Sequence, residues 1–274
     1  APLYSPGNIS LRNTSSTSIK VTWYGLDQHV IRGIFYGYEI WFTAHPDFPS
    51  AYLRYGDEAR RKRAVFTFDT QVTTAEVADE SIEITGLAKY TNYTIQVIGY
   101  TKFLGAQSEV IRVLTDEDIP SKSPQDLGGR NLSSTSIYLN WQPVEDGFVH
   151  GVFLGYRLYY RLTNLPLMPP FNKTFPPDQL ETIIHGLFMF TNYTFEIAAF
   201  TSKGEGPLTE GVRICTDEDV ASKSPFAFEA VNLYHMHEIP LSWQPVPEGF
   251  LNGILTGYRI KMRIISDAML DVFG

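Results

Sequence analysis

The sequence Leu-Phe-Met-Phe-Thr-Asn-Tyr-Thr-Phe-Glu-Ile at residues 187–197 has a near copy, Leu-Ala-Lys-Tyr-Thr-Asn-Tyr-Thr-Ile-Gln-Val, at residues 87–97. In each copy a Tyr follows an apolar Leu by six residues and enters a run in which apolar and polar residues alternate. This pattern is typical of a corner where the chain crosses between the two sheets of a β-sandwich. The Tyr ring would fill the core while its hydroxyl bonds a backbone group, which Phe could not do. The chain is therefore predicted to be all-β.

Three Trp residues mark the same repeat. Each is followed ten residues later by Gly and fifteen residues later by the Tyr of a Gly-Tyr pair. Apolar and polar residues alternate before each Trp and after each Gly-Tyr pair, which predicts strands with one buried face. Together with the Leu and Tyr of the two corners, these positions form the predicted core: Trp23, Tyr38, Leu87, Tyr93, Trp141, Tyr156, Leu187, Tyr193, Trp243 and Tyr258.

The Trp of the second strand, the Tyr of the third and the corner before the sixth resemble the fibronectin type III module, over essentially the whole chain. The resemblance implies tandem seven-stranded, immunoglobulin-like β-sandwiches of about a hundred residues each. We predict repeat 1 at residues 1–117, repeat 2 at residues 118–217 and an incomplete repeat 3 at residues 218–274. Repeat 3 is expected to provide roughly three strands and to leave an apolar sheet face uncovered.

Repeat 1 is longer than repeat 2 between the Gly-Tyr pair and the corner. Tyr38 and Tyr93 are 55 positions apart, whereas Tyr156 and Tyr193 are 37 apart, so repeat 1 has 18 additional residues. We place this insertion within residues 44–78, as a surface loop or a longer hairpin.

Acidic triplets at residues 116–118 and 217–219 separate the repeats. Consecutive carboxylates on an extended chain point to opposite sides, which disfavours a shared calcium ion. We expect these triplets to be solvated linkers.

Composition disfavours several classes of function. The formal net charge is −8 and the basic residues are scattered apart from one run, so neither nucleic acid nor an anionic membrane surface is an expected partner. Apolar runs are only as long as a strand, so no membrane-spanning segment is expected here. Cys215 is the single cysteine, which excludes intrachain disulfides, and its strand position predicts an inert core thiol. His235 and His237 would share a strand face, but two ligands make a poor metal site.

No arrangement of residues in the sequence points to catalysis. The chain has no recognisable nucleophile, acid–base pair or phosphate-binding loop. We therefore predict neither an enzymatic activity nor a cofactor for this stretch. The first residues also lack the regions of a signal peptide, so the chain is expected to be part of a longer protein.

Glycosylation sequons are the most informative functional pattern. Six of the ten asparagines begin Asn-x-Ser/Thr, where the Ser and Thr content alone would give roughly one in seven. Asn92 and Asn192 each precede a corner Tyr that points inward, so they should point outward. The pattern predicts an extracellular chain, at the cell surface or secreted; the alternative is inherited repeat sequence without sugar. The predicted acceptors are Asn8, Asn13, Asn92, Asn131, Asn172 and Asn192.

The insertion of repeat 1 contains a basic run formed by Arg60, Arg61, Lys62 and Arg63. This run fits the cleavage pattern of furin-like convertases, which need an extended, exposed segment. A solvated loop or an edge strand kept soluble by its charge is the alternative, and heparan sulfate binding is a third.

Phe103 and Leu104 are predicted in the loop between the last two strands of repeat 1. As an exposed apolar pair they would contact a partner, and the alternative is packing against neighbouring loops. Some fibronectin modules carry Arg-Gly-Asp in this loop, but the motif is absent from the chain, so integrin binding by that route is unsupported. A second apolar loop at residues 165–171 is expected to pack locally.

These patterns predict a non-catalytic, extracellular segment of a cell-surface adhesion or signalling receptor whose parent protein is membrane-anchored. Short linkers would join the modules into a semi-rigid rod that binds an extracellular protein or a second copy of itself. The ectodomains of receptor tyrosine phosphatases and of adhesion molecules such as the sidekicks look similar, and the motifs do not choose between them. In a phosphatase receptor, catalysis would belong to a cytoplasmic domain outside this chain. A secreted matrix spacer and accessory modules of a larger secreted enzyme are the alternatives.

Overall fold

The computed structural model describes residues 1–45, 70–230 and 238–263. Repeat 1 is a sandwich of two antiparallel sheets. Its strands are β1 (Gly7–Ser15), β2 (Ser18–Tyr24), β3 (Gly37–His45), β4 (Gln71–Ala75), β5 (Ser81–Ile84), β6 (Asn92–Tyr100), β7 (Leu104–Gln107) and β8 (Ile111–Leu114). One sheet contains β1, β2 and β5 in that order, and the other contains β4, β3, β6 and β7, with β8 also paired to β6.

Repeat 2 has the same architecture. Its strands are β9 (Gln125–Ser133), β10 (Ser136–Gln142), β11 (Gly155–Leu162), β12 (Phe171–Phe175), β13 (Glu181–His185), β14 (Asn192–Thr201), β15 (Gly204–Glu205) and β16 (Val212–Cys215). One sheet contains β13, β10 and β9 in that order, and the other contains β12, β11, β14 and β15, with β16 paired to β14.

The last strand of each sandwich is interrupted in its middle. In repeat 1 the hydroxyl of Ser108 accepts a hydrogen bond from the N–H of Val97 at 2.9 Å. In repeat 2 the hydroxyl of Thr209 accepts one from the N–H of Ile197 at 3.1 Å. A side chain thus replaces a carbonyl as the acceptor at this point of the ladder. Because β7 and β8, and likewise β15 and β16, are halves of one strand, the described residues of each sandwich provide the seven strands expected of its fold.

The core of each sandwich lies between its two sheets and is centred on a Trp and a Tyr. The ring centroids of Trp23 and Tyr38 are 5.2 Å apart, and those of Trp141 and Tyr156 are 5.5 Å apart. All four side chains are buried. Large aromatic rings remove extensive apolar area from water, so these pairs are major contributors to the stability of each module.

A hydroxyl group ties each corner. Tyr93 accepts a hydrogen bond from the N–H of Ala88 at 2.8 Å, and Tyr193 accepts one from the N–H of Phe188 at 2.9 Å. Both tyrosines are buried, and burial raises the pKa of each phenol. The hydroxyl therefore satisfies a backbone donor that strand pairing leaves free.

The Gly of each Gly-Tyr pair allows two strands to approach closely. Gly37 and Gly155 have φ of 131° and 137°. A Cβ atom at Gly155 would lie 2.0 Å from the carbonyl oxygen of Phe175, and one at Gly37 would lie 2.2 Å from that of Ala75. Only glycine fits this backbone conformation and this distance.

The insertion of repeat 1 occupies a shorter stretch of sequence than the predicted residues 44–78. Strand β4 lies inside that range and pairs Ala75 with Tyr38, just as β12 pairs Phe175 with Tyr156. This part of the range is thus an ordinary strand shared by both repeats, so the additional residues fall between His45 and Gln71. The three consecutive β-branched residues of β4, Val72 to Thr74, contained this signal, but the difference in length alone did not reveal it. The basic run at residues 60–63 lies outside the described residues.

Repeat 3 contributes β17 (Phe226–Ala230), β18 (Leu241–Gln244) and a short 3-10 helix at Glu248–Phe250. No third strand occurs in the described stretch 251–263, contrary to expectation. The rings of Trp243 and Tyr258 are 5.4 Å apart, as in repeat 2. Tyr258 is nevertheless 38% exposed, so its assignment to the core is wrong for this structure. The physical reason is that the described part of repeat 3 forms only the β17–β18 pair, so no second sheet encloses the ring on its other side.

Candidate interdomain junctions and binding surfaces

The first junction, residues 116–121, is anchored to repeat 1 by two carboxylates. The side-chain nitrogen of Asn13 donates to Asp116 at 2.8 Å. Asp118 accepts from the hydroxyl of Ser16 at 2.8 Å and forms an ion pair with Lys89 at 2.9 Å. Both acidic side chains therefore point back towards the preceding module.

The same residues bond to repeat 2 through other groups. The N–H of Asp118 donates to the carbonyl of His150 at 2.8 Å, and its carbonyl accepts from the hydroxyl of Thr201 at 2.9 Å. The carboxylate of Glu117 accepts from the hydroxyl of Ser202 at 2.6 Å. Side chains alternate along an extended chain, so Glu117 faces repeat 2 while its neighbours face repeat 1. The first linker is bonded on both sides, and the expectation of a simple solvated linker is wrong for this triplet.

Charge and burial shift two pKa values at this junction. The hydrogen bond from Lys89, assisted by those from Ser16 and the N–H of Ile119, lowers the pKa of Asp118 to about 2. Burial lowers the pKa of His150, and the nearby Lys89 adds to the decrease while Asp118 opposes it. The ring nitrogen Nε2 of His150 lies 2.7 Å from the hydroxyl of Ser121.

The second junction, residues 217–222, repeats most of this arrangement. The side-chain nitrogen of Asn131 donates to Asp217, and the hydroxyl of Ser134 donates to Asp219 at 2.5 Å. The N–H of Asp219 donates to the carbonyl of Asn252 at 2.7 Å. The hydroxyl of Ser134 and the N–H of Val220 lower the pKa of Asp219.

A cation on an aromatic ring fixes the start of each following repeat. The ammonium group of Lys122 lies 3.6 Å from the centre of the Phe148 ring, and that of Lys223 lies 3.6 Å from the centre of the Phe250 ring. Such contacts contribute about 0.5–1 kcal/mol at exposed sites. Both contacts lie within the following repeat, so the residue after each linker is held against that repeat in the same way.

The sequon asparagines differ in accessibility. Asn8, Asn131, Asn172 and Asn192 are exposed, whereas Asn13 and Asn92 are half-buried. Exposure matters because glycosylated asparagines are surface residues. Asn172 lies on the edge strand β12, where a glycan would also block strand-to-strand association.

Phe103 and Leu104 lie at the end of repeat 1 where the chain enters the module. They are 65% and 44% exposed, and Leu104 begins β7 instead of belonging to the loop. Leu104 pairs with Tyr100, whose ring stacks on the exposed Tyr36 at 6.2 Å. We call Tyr36, Tyr100, Phe103 and Leu104 the entry surface of repeat 1.

Repeat 2 exposes a second apolar surface at its opposite end, formed by the apolar loop at residues 165–171 and by Phe188 and Met189, whose exposure was not predicted. Leu167 is 99% exposed, so the expectation of local packing is wrong for this residue, although the ring of Phe171 stacks on Tyr160 at 5.3 Å. An open cavity of about 440 Å³ lies nearby, lined by Phe188 and Met189 among others. The available signal was the replacement of Ala-Lys-Tyr at residues 88–90 by Phe-Met-Phe at residues 188–190.

Residues 1–45, 70–230 and 238–263 contain no group of three or more His, Cys, Asp or Glu side chains that could hold a metal ion. His235 and His237 lie outside them. No helix in the same ranges is long and apolar enough to cross a membrane. Cys215 is half-buried, and burial followed by the charge of Asp217 raises the pKa of its thiol.

In the described residues, two sandwiches with seven strands each follow one another and a third begins, which defines a tandem immunoglobulin-like β-sandwich protein. The family model described as fibronectin type III domain matches residues 4–113 and 122–214, and the chain belongs to that family. Fibronectin type III domains are non-catalytic. The sequence prediction of fold class is thereby confirmed.

The chain is similar to several receptor and adhesion proteins. It is 27% identical to protein sidekick-1 of Gallus gallus over 97% of its length, and 28% identical to receptor-type tyrosine-protein phosphatase F of Mus musculus over 97%. It is 29% identical to the cell adhesion molecule DSCAM of Mus musculus over 95%. The chain spans only 12%, 13% and 12% of these relatives. The predicted resemblance to receptor tyrosine phosphatases and sidekicks is confirmed.

A solved structure shows the same fold. The crystal structure of the chicken CNTN1 FN1-FN3 domains is similar with a TM-score of 0.51 and 22% sequence identity. The match covers 90% of this chain and 77% of that chain. At this identity the likeness supports the fold alone.

Proposed function

We propose that this chain is an extracellular, non-catalytic segment of a cell-surface adhesion or signalling receptor. Its tandem sandwiches form a semi-rigid rod that presents loops and side faces to a protein partner. The observation that carries the proposal is the pair of junctions, in which each short linker is bonded to the module before it and to the module after it. Such bonding restricts relative domain motion, which is otherwise the default for linked domains.

The names of the relatives support the receptor role, since they include a receptor-type phosphatase and a cell adhesion molecule. Exposed sequon asparagines support an extracellular location. A direct test is to express the 274-residue chain in secretory cells and to remove N-glycans with an amidase. We expect a loss of mass from several sites. An unchanged mass would remove the main support for the extracellular assignment.

We propose the entry surface of repeat 1 as the partner contact. Exposed aromatic and aliphatic side chains at one place are typical of binding hot spots. The chain would be displayed on beads and tested for bead aggregation, which detects a second copy of itself, and against individually purified ectodomains of adhesion receptors. If binding is detected, Phe103→Ser is expected to weaken it by about tenfold or more.

Val72→Ser is the matched control for that experiment. Val72 is also an exposed apolar residue of repeat 1, but it lies on β4, at the edge of the sheet opposite to β7. The variant should bind like the wild type. Equal binding by Phe103→Ser would exclude the entry surface, and absence of any partner or aggregation would favour a spacer role.

The basic run at residues 60–63 stays a predicted convertase site. Cleavage between Arg63 and Ala64 would yield two fragments after expression in furin-positive cells, and Arg63→Ala would prevent it. An uncut wild-type chain from those cells would exclude cleavage.

A further inference from the structure

The side-chain nitrogen of Asn13 uses both of its hydrogens within the protein. It donates to the carbonyl of Leu114 at 2.7 Å and to the carboxylate of Asp116 at 2.8 Å. Both partners are pure acceptors, so the amide cannot be turned over without placing its oxygen against them. The oxygen Oδ1 of Asn13 is itself buried. The orientation of this side chain is therefore fixed by the junction.

Asn13 is also the acceptor position of an Asn-x-Ser/Thr sequon. Attachment of a glycan forms a bond from Nδ2 to C1 of the sugar, breaks the bond from C1 to the lipid pyrophosphate carrier and releases one proton from Nδ2. The product keeps a single N–H at this nitrogen. At most one of the two hydrogen bonds can then persist, and the sugar must occupy the space of the other acceptor.

Asn131 occupies the corresponding position in repeat 2 but is less constrained. Its nitrogen donates to the carboxylate of Asp217, and this is the one hydrogen bond that the structure assigns to it among the described residues. Asn131 is exposed, whereas Asn13 is half-buried. A glycan on Asn131 can therefore replace the second hydrogen and leave the bond to Asp217 in place.

We propose that Asn13 is a junction residue. A glycan at Asn13 loosens the first junction, in which the linker is bonded to both repeats, whereas a glycan at Asn131 leaves the bonds of the second junction in place. The two sequons thus have the same local sequence position and different roles. The glycosylation state of Asn13 sets how freely repeats 1 and 2 move relative to each other. This inference does not depend on which partner the protein binds.

Bacterially produced, unglycosylated 274-residue chain tests the junction role. The readout is amide hydrogen exchange of residues 115–121, which includes the N–H of Asp118 bonded to His150. Asn13→Ala should speed this exchange about tenfold, because hydrogen bonds to charged groups contribute most to local stability. Arg12→Ala, at an exposed position on the same strand, is the control and should leave the exchange unchanged.

A second variant distinguishes a local loss of the hydrogen bond from misfolding of the module. Asp116→Ala removes the acceptor instead of the donor, so it should speed exchange similarly, and the double variant should add little to either single change. The amide of Val97, in the core, reports whether the sandwich stays intact. Wild-type exchange of residues 115–121 in Asn13→Ala would overturn the proposal.

Protein from secretory cells tests the effect of each glycan on its junction. Glycopeptide mass spectrometry measures the occupancy of Asn13 and Asn131, and exchange is measured on the same sample. We expect Asn131 to carry a glycan while the amide hydrogen of Asp219 stays protected. In molecules with a glycan on Asn13, the amide hydrogens of residues 115–121 should exchange as fast as they do in Asn13→Ala. Sugar on Asn13 with full protection of those residues would contradict the inference, as would loss of Asp219 protection on glycosylation of Asn131.

Discussion

The ammonium group of Lys89 lies 2.9 Å from the carboxylate of Asp118. Met189 takes the place of this lysine in repeat 2. The two junctions therefore share their hydrogen bonds to Asp118 and Asp219 but differ by one positive charge. Partly exposed ion pairs contribute only about 0–1 kcal/mol to stability, so the pKa is the more sensitive measure of this difference.

Replacement of Lys89 by Met should raise the pKa of Asp118 from about 2 towards the ordinary value of about 3.9. When the pH is above the ordinary carboxyl pKa, the lowered pKa of Asp118 stabilises the folded protein. This contribution is lost as the pH falls towards about 2. In Lys89→Met this contribution should be smaller, and its loss should be complete at a higher pH. Carboxyl NMR titration measures this shift, with Asp219 as the internal control. A pKa that stays near 2 would mean that Ser16 and the backbone suffice.

His150 should make stability depend on pH. Because its folded-state pKa is lowered by burial, the unfolded chain binds more protons below about 6.5, and the free energy of unfolding decreases as pH falls through that value. His150→Asn copies Asn252, which occupies the same position in repeat 3 with a φ of 53°. Urea unfolding at pH 7.5 and 5.5 should show a smaller difference for this variant. His29→Asn, at an exposed position, is the control and should keep the wild-type difference.

The corner hydroxyl should be worth a measurable free energy. Tyr193→Phe removes the acceptor of the Phe188 N–H, and leaving that donor unpaired should cost about 1–3 kcal/mol of unfolding free energy. Chemical denaturation measures this loss. Tyr160→Phe, at a half-buried position whose ring stacks on Phe195, should change stability by less than about 0.5 kcal/mol. Equal stability of both variants would show that the ring alone holds the corner.

Two equivalent core tyrosines should respond differently to the loss of their hydroxyl. Tyr38 accepts a hydrogen bond from the N–H of Leu26 at 3.0 Å, so Tyr38→Phe should cost about 1 kcal/mol. The hydroxyl of Tyr156 is buried and has no partner among the described residues, and burial raises the pKa of Tyr156 to about 12. Tyr156→Phe should therefore be neutral or stabilising. Thermal unfolding of both variants compares them directly, and a large loss for Tyr156→Phe would reveal a bound water.

Much of the fold could be predicted from short-range patterns. The spacing of Leu187 and Tyr193, and the Gly-Tyr pair after each Trp, recur because every sandwich needs the same corner and the same close strand contact. The surfaces were harder to predict. Leu167 and Tyr258 are apolar or aromatic residues that local patterns alone would place in a core. Whether another strand covers them depends on the tertiary structure and cannot be predicted from those patterns.

The sequence by itself determined the class of fold, its repetition and the presence of six sequons, since these depend on residue type and on spacing over a few tens of residues. Only the tertiary structure decided the roles of the linkers. Asn13 and Asp116 are 103 positions apart, and they meet because the sandwich brings the end of its first strand beside the end of its last. Hydrogen bonds of this kind depend on distance and direction in space, which no local pattern of residues records.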